Sequence, residues 1–455
     1  MKKLLILNII FCFGFLAEEL TLEDSVSYAL AHNRAIVAAK EKVKATEGGL
    51  TSSTGLLYPQ LSATGIYTKN SALSQYVYGD PIKIPVFTAG GVPKTDYIPF
   101  SMPNVTADRL GDMYVAKLSL AWPVFTWGKI QGLVEIAEAN KNIAEKDLEK
   151  TIQDITYEVK SGFYSLLMSA QMVKVLEETK KSLEAHVIVV EKRYEAGLAS
   201  KFELLRAKVQ LANIEPQLNR AKNGYELALM GFNNSLSSER NDKYTVIGEF
   251  KYEKETFDLA VCLNSAFENR VEIKQMTERI KMLQAALNIA VAGFRPSFTI
   301  TANYSTNMGA QLPPNDTAWA TGWDAGGIIS IPLFDGFSAS GKYDEAEANL
   351  KQVLIAKIQL LDGINIEVKG AFLTLEATEK TIIAQAENIG MAKESLNMVK
   401  ERYTQGLSTN LDVLDTEVSY LQTEISYYQS LYDQILAKEK LRKAIGKIGG
   451  EYVKK

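Results

Sequence analysis

The segment Arg402-Tyr403-Thr404-Gln405-Gly406-Leu407 has a counterpart earlier in the chain, Arg193-Tyr194-Glu195-Ala196-Gly197-Leu198, with the same Arg-Tyr-x-x-Gly-Leu spacing. Each closes a long stretch without proline, from Trp127 to Gly197 and from Phe334 to Gly406. A glycine at such a point suits the left-handed C′ position that ends many helices. Trp122-Pro123-Val124-Phe125 returns in the same way as Ile331-Pro332-Leu333-Phe334. The prolines (123 and 332) and the glycines (197 and 406) are both 209 positions apart. Loops accumulate insertions, whereas a continuous helix cannot absorb one without rotating its apolar stripe off its partner. The constant register therefore predicts two helices, about 127–197 and 336–406. Each has about 70 residues and runs roughly 100 Å at ~1.5 Å per residue. Thr126 and Asp335 are the expected N-caps.

Reading outward, Tyr58-Pro59-Gln60-Leu61-Ser62-Ala63-Thr64 matches Arg295-Pro296-Ser297-Phe298-Thr299-Ile300-Thr301, now 237 positions apart (59 and 296). The first copy therefore holds 28 extra residues (237 less 209), and the Pro- and Gly-rich stretch from Asp80 to Pro103 is their place. The chain reads as a first repeat over 18–235, a joining segment over 236–257, a second repeat over 258–448 and a tail over 449–455. Shorter helices are expected at about 200–232 and 409–446, one after each glycine turn. In the second of these, Leu411, Leu414, Val418, Leu421, Ile425, Tyr428, Tyr432 and Ile435 alternate spacings of three and four, the pattern of a coiled-coil seam.

Near the prolines the period falls from 3.5 to 2. Leu61, Ala63, Gly65 and Tyr67 alternate with Ser62, Thr64, Ile66 and Thr68, and Phe298, Ile300, Ala302 and Tyr304 alternate with Thr299, Thr301, Asn303 and Ser305. Returning strands complete hairpins at about 59–124 and 296–333. Trp122, Phe125 and Trp127 cluster at one end of the strands, and Trp319 and Trp323 lie towards the loops. Alternating segments with aromatic ends fit a transmembrane β-barrel. Four strands cannot close a barrel, since the smallest have about eight, and an open edge finds no hydrogen-bonding partner in lipid. A membrane sheet of this size predicts a barrel shared among chains. Twelve strands from three chains suit a conduit, because about eight leave an interior filled by side chains.

Composition bounds the rest. Lys2 and Lys3 precede an apolar run from Leu4 to Leu16 that is too short to span a membrane, and Ala17 follows it, the pattern of a signal peptide over 1–17. Beyond that segment Cys262 is the one cysteine, so no intrachain disulfide is expected. The net charge is −4 and no basic cluster suggests a nucleic-acid partner. His32 and His186 read as ordinary helix-face residues, with no metal-ligand spacing around them. No phosphate loop or nucleophile elbow is present, so neither an enzyme, a metal site nor a cofactor is expected.

With the twofold repeat, Pro123-x-Phe125 and Pro332-x-Phe334 at strand–helix joints and the two Arg-Tyr-x-x-Gly turns, the chain resembles the TolC-like outer-membrane efflux protein family. The segment from Arg402 through Asp412-Val413-Leu414-Asp415 is especially close. The resemblance implies a homotrimer with a 12-stranded barrel in outer-membrane lipid and a 12-helix barrel across the periplasm. It also implies two partners, a periplasmic adaptor (membrane fusion) protein and an inner-membrane transporter of RND, ABC or MFS type. In that family the turns, here containing Arg193, Gly197, Arg402 and Gly406, form the periplasmic tips, and acids beyond the second turn ring the tunnel entrance. Asp412 and Asp415 match those positions, where mutual repulsion is expected to raise some of their pKa values. Tyr403 matches a tyrosine of the latch that holds the tips, Glu203 stands at its acidic partner, and Ser408 replaces a basic latch residue. The alternative is an exported trimeric coiled-coil adhesin or stalk with an anchoring barrel.

Overall fold

The computed structural model describes residues 19–78, 82–89, 91, 93–100, 103–237, 245–308 and 319–448, so the segment 1–17 expected to be a signal peptide and the tail 449–455 lie outside the described residues. The elements run β1 (Glu19–Leu20), α1 (Leu22–His32), α2 (Arg34–Gly55), β2 (Gln60–Tyr78), β3 (Ile82–Phe87), β4 (Pro93–Phe100), β5 (Pro103–Phe125), α3 (Lys129–Glu195) and α4 (Lys201–Leu236). They continue with β6 (Thr245–Val246), α5 (Leu259–Asn269), α6 (Val271–Ala292), β7 (Ser297–Met308), β8 (Ala320–Ser330), α7 (Ser338–Thr404) and α8 (Asn410–Ala444). α3 and α7 have 67 residues each and begin 209 positions apart. Among the described residues no helix is long and apolar enough to cross a membrane. The chain divides into two compact units, one of Met1–Thr46, Ala139–Ile280 and Lys351–Lys455, the other of Glu47–Glu138 and Lys281–Leu350.

In the first unit α3 packs on both α4 and α8. Val175, Leu176 and Leu183 of α3 meet Ile214 and Leu218 of α4 and Leu414 and Leu421 of α8. A second cluster joins α1, α3 and α4 through Val26, Phe163 and Phe232. A third joins α5, α7 and α8 through Ala266, Val368 and Leu441. Because α8 has neighbours on two sides, its buried sector is wider than the heptad reading predicts. Val413, Glu417, Leu431 and Gln434 are buried, while Leu411 and Val418, expected in the seam, are exposed. In α4, Leu204, Ala207, Ile214 and Leu218 are buried. Pro216 lies inside this helix, where the missing N–H removes one backbone hydrogen bond.

The second unit is built on one four-stranded antiparallel sheet in the order β2-β5-β7-β8, so β2 and β8 are its edges. The cross-strand register sorts side chains by face. Leu61 pairs Leu120, Leu118 pairs Tyr304, and Tyr304 pairs Trp323, all on one face. Ser62 pairs Ser119, Ser119 pairs Asn303, and Asn303 pairs Asp324 on the other, where Asn303 Nδ2 donates to Asp324 Oδ2 at 2.8 Å. On the apolar face Leu61, Tyr67, Tyr304 and Trp323 are all more than half exposed. An apolar face backed by a polar face is the arrangement of a membrane barrel strand set.

The extra residues of the first hairpin form structure of their own. β3 and β4 pair antiparallel as a separate two-stranded sheet, with Ile82 opposite Phe100 and Ile84 opposite Ile98. Within the hairpin expected over 59–124, β2 and β5 are long strands, and β3–β4 occupies the place expected for the extra residues, between Asp80 and Pro103. The entries to the long helices also differ from expectation. Helix begins at Lys129 and Ser338, after two residues with positive φ in each case: Trp127 (49°) and Gly128 (85°), then Gly336 (67°) and Phe337 (66°). Thr126 and Asp335 lie upstream of the true N-caps. They still reach the helix ends, since Thr126 Oγ1 accepts from the Ile130 N–H at 3.4 Å and Asp335 Oδ2 from the Ala339 N–H at 2.7 Å.

Candidate functional site

The two turns that end α3 and α7 are built alike. The Leu198 N–H bonds the Arg193 carbonyl at 2.7 Å and the Gly197 N–H bonds the Tyr194 carbonyl at 3.0 Å. The Leu407 N–H bonds the Arg402 carbonyl at 2.8 Å and the Gly406 N–H bonds the Tyr403 carbonyl at 3.0 Å. Gly197 and Gly406 have φ of +71° and +78°. These paired bonds are the Schellman closure, and the positive φ is why glycine stands there.

The following helices open alike too. Ser200 caps α4 by accepting from the Glu203 N–H, while the Glu203 carboxylate accepts from the Ser200 N–H at 2.7 Å. Thr409 and Asp412 make the same reciprocal pair on α8, with Thr409 N–H to Asp412 Oδ2 at 2.8 Å. Both are capping boxes, each satisfying two N–H groups that a helix start leaves open. Glu203 and Asp412 are 209 positions apart and do the same work, although the resemblance assigns one to a latch and the other to a ring. The signal was in the sequence, in Ser200-x-x-Glu203 and Thr409-x-x-Asp412.

This changes one expectation. The expected Tyr403–Glu203 contact is not a hydrogen bond: the Glu203 carboxylate is held by Ser200, and the Tyr403 hydroxyl has no hydrogen-bond partner among the described residues. Within the single chain Asp412 is held below the usual carboxylate range, first by the Thr409 backbone N–H; the repulsion expected among stacked aspartates belongs to the assembly. Asp412 and Asp415 both remain exposed on the first turns of α8, and Ser408 is half-buried. The position equivalent to Asp415 in the first copy is Arg206, also exposed.

Tyr403 is buried at 4% exposure, whereas its equivalent Tyr194 is 40% exposed. The Arg193 guanidinium lies 4.9 Å from the Tyr403 ring centre, and Arg193 Nη1 donates to the Tyr403 carbonyl at 2.8 Å. Burial pushes the Tyr403 phenol pKa up. Among the described residues Arg402 hydrogen-bonds within its own turn, Nη2 donating to the Leu407 carbonyl at 3.4 Å. One arginine of the pair thus ties two turns together and the other does not. His186, expected as an ordinary helix-face residue, instead meets Asn410 at the same tip, 224 residues apart in the chain.

At the strand–helix joints the copies diverge. β5 runs through Pro123 to Phe125, paired to Thr299 and Phe298 of β7 across an irregularity in the register. β8 stops at Ser330, leaving Pro332 outside it and Phe334 79% exposed against Phe337. β5 has strands on both sides, whereas the edge strand β8 has nothing beyond it to extend the pairing. Phe125 packs edge-on to Trp127 at 5.0 Å, and Arg295 lies 5.3 Å from the Trp127 ring.

The chain thus combines a sheet of one apolar and one polar face with very long helices closed by paired turns. The sequence pattern of the family described as outer membrane efflux protein matches residues 26–236 and 262–447. The chain belongs to that family, and is an outer-membrane transport protein rather than an enzyme. It is similar to the probable outer membrane lipoprotein SilC of Salmonella typhimurium, 23% identical over 361 residues, 78% of this chain and 68% of that one. It is also similar to the toluene efflux pump outer membrane protein TtgC of Pseudomonas putida, 21% identical over 283 residues. That match takes in 60% of this chain and 57% of TtgC, so the chain spans little more than half of this relative. Among solved structures, the Campylobacter jejuni CmeC outer membrane channel has the same fold, with a TM-score of 0.76 at 17% identity over 94% of this chain and 86% of that one. CusC gives a TM-score of 0.74 at 18% identity over 93% and 92%.

Proposed function

We propose that three copies of this chain form a gated duct across the outer membrane, receiving cargo from an inner-membrane transporter through a periplasmic adaptor. The observation that carries the trimer is the open sheet. β2 and β8 each leave one row of backbone groups unpaired in a sheet with one apolar face, and such edges are tolerated in lipid only if another chain pairs them. Pairing β8 of one copy with β2 of the next gives a closed 12-stranded barrel. The helices support the same assembly. α4 exposes Phe202, Leu205, Val209, Leu227 and Met230, and α7 exposes Ile355, Ile358, Ile366 and Leu373. These rows would cover one another in a 12-helix barrel in the periplasm. Each chain supplies two structural repeats, over 18–235 and 258–448, with a strand hairpin and two long helices in each.

In this reading the turns at Gly197 and Gly406 are the periplasmic tips, and threefold symmetry stacks Asp412 and Asp415 into rings at the entrance. Arg193 on Tyr403, rather than a Glu203–Tyr403 bond, latches the second turn, and Ser408 supplies no salt bridge. Pro123, Phe125, Pro332 and Phe334 mark where strands at the membrane give way to helix. Single-channel recording in planar bilayers tests the rings with Asp412→Asn plus Asp415→Asn, since asparagine keeps an acceptor for the Thr409 N–H. Block by divalent cations should weaken at least about tenfold, equivalent to ~1.4 kcal/mol of lost attraction. Unchanged block and conductance would remove both aspartates from the entrance.

A further inference from the structure

His186 is buried on α3 at 7% exposure, and its Nε2 lies 2.7 Å from Asn410 Oδ1. Asn410, 1% exposed, is the first residue of α8, and its Nδ2 donates to the Glu203 carbonyl of α4 at 3.0 Å. One side chain thus spans three helices. Its orientation is fixed, because the amide nitrogen must face the Glu203 carbonyl and the amide oxygen must therefore face the histidine. That in turn fixes the histidine: Nε2 carries the proton and donates it, and Nδ1 is bare.

We infer that His186 and Asn410 form a clasp that holds the starts of α4 and α8 against α3 at neutral pH and releases them on acidification. A second proton must go to Nδ1, and no hydrogen bond to that atom is present among the described residues. The groups facing the ring are already committed to other partners. Tyr403 of α7 lies against it, ring centres 5.2 Å apart, with the Arg193 guanidinium of α3 on that same tyrosine. Lys400 of α7 is paired with Glu417 of α8 at 2.7 Å, and its Nζ also reaches Ser182 of α3. The Glu203 carboxylate of α4 is occupied by Ser200. Burial, the largest cause, and Lys400 lower the His186 pKa, outweighing the Asn410 bond and Glu417, which raise it.

The sign follows. A histidine whose pKa is depressed in the clasped state and ordinary in the released one adds stability that is full above the released-state value of ~6.5. That stability falls away as pH drops below it, by up to tenfold in the clasped-to-released ratio per pH unit. The clasp is a property of the single chain, while its consequence for the entrance rests on the duct reading above. The test is hydrogen exchange of full-length protein in detergent, following the amides of 197–204 and 406–413 between pH 7.5 and pH 5, corrected for intrinsic rates. Exchange in the wild type should accelerate about tenfold as pH falls. His186→Gln, which keeps a neutral donor, should abolish that acceleration, and Asn410→Ala should exchange fast at both pH values. An acceleration that survives in His186→Gln, or none in the wild type, overturns the clasp. Bilayer conductance on the same variants separates the two readings. Exchange that follows His186 with no measurable channel would leave the clasp standing and count against the duct.

Discussion

Replacing Glu439 with leucine destabilises the helical unit by about 3–5 kcal/mol, read as a fall in the thermal unfolding of the helices followed by circular dichroism. Glu439 sits on the α3–α8 contact with Lys160, their side chains 9% and 10% exposed and 2.9 Å apart. The other carboxylate oxygen of Glu439 accepts from Arg442 at 2.9 Å, and Arg442 bonds Glu255 of the joining segment at 2.8 Å. Leucine leaves the Lys160 ammonium buried without its counter-charge, which is the source of the cost. It also frees Arg442 from one of its two anchors on this network. The double variant Lys160→Met with Glu439→Leu should recover most of the loss, because a buried pair replaced by apolar side chains of similar volume is close to neutral. Recovery of only a small part of that loss would mean that the network, rather than the buried charge, sets the stability.

Phe163→Ala is expected to cost a similar ~3–5 kcal/mol by a different route, the loss of apolar contact plus the cavity left behind. Phe163 is 2% exposed and packs edge-on against Tyr164 at 5.7 Å and Phe232 at 6.1 Å. It also receives the joining segment, where a Cβ on Gly248 would come within 3.2 Å of its ring. Filling this contact holds the chain after β6 against α3, so the loss should appear both in unfolding and in protease cleavage between residues 245 and 257. Phe163→Leu should retain more than half the stability. If alanine costs less than about 1 kcal/mol, Phe163 is not the anchor of this core.

The sequence was most legible where the chain has least freedom. A 67-residue helix has one way to be duplicated without loss of packing, so the constant spacing of Pro123–Pro332 and Gly197–Gly406 located the ends of α3 and α7 to within two residues. The strands were legible because alternation such as Ser62-Ala63-Thr64-Gly65 leaves one face apolar. The β3–β4 insertion was located but not its form, since its Pro-rich sequence carries no clear period. The helix entries were misplaced because Trp127 and Phe337 adopt positive φ that neither residue advertises. Two-sided packing of α8 widened its buried face beyond a heptad seam. At the tips, Glu203 and Asp412 were assigned by resemblance while their capping-box spacing was overlooked. The His186–Asn410 contact joins residues with no local signal at all, because it exists only once three helices have met.

The shared barrel is the central claim, and the number of chains in the complex tests it most directly. Native mass spectrometry of the protein extracted from membranes in detergent should give three copies, which closes β2 and β8 edges into twelve strands. A single chain, or two, would contradict the account, because neither leaves a closed barrel wide enough to conduct.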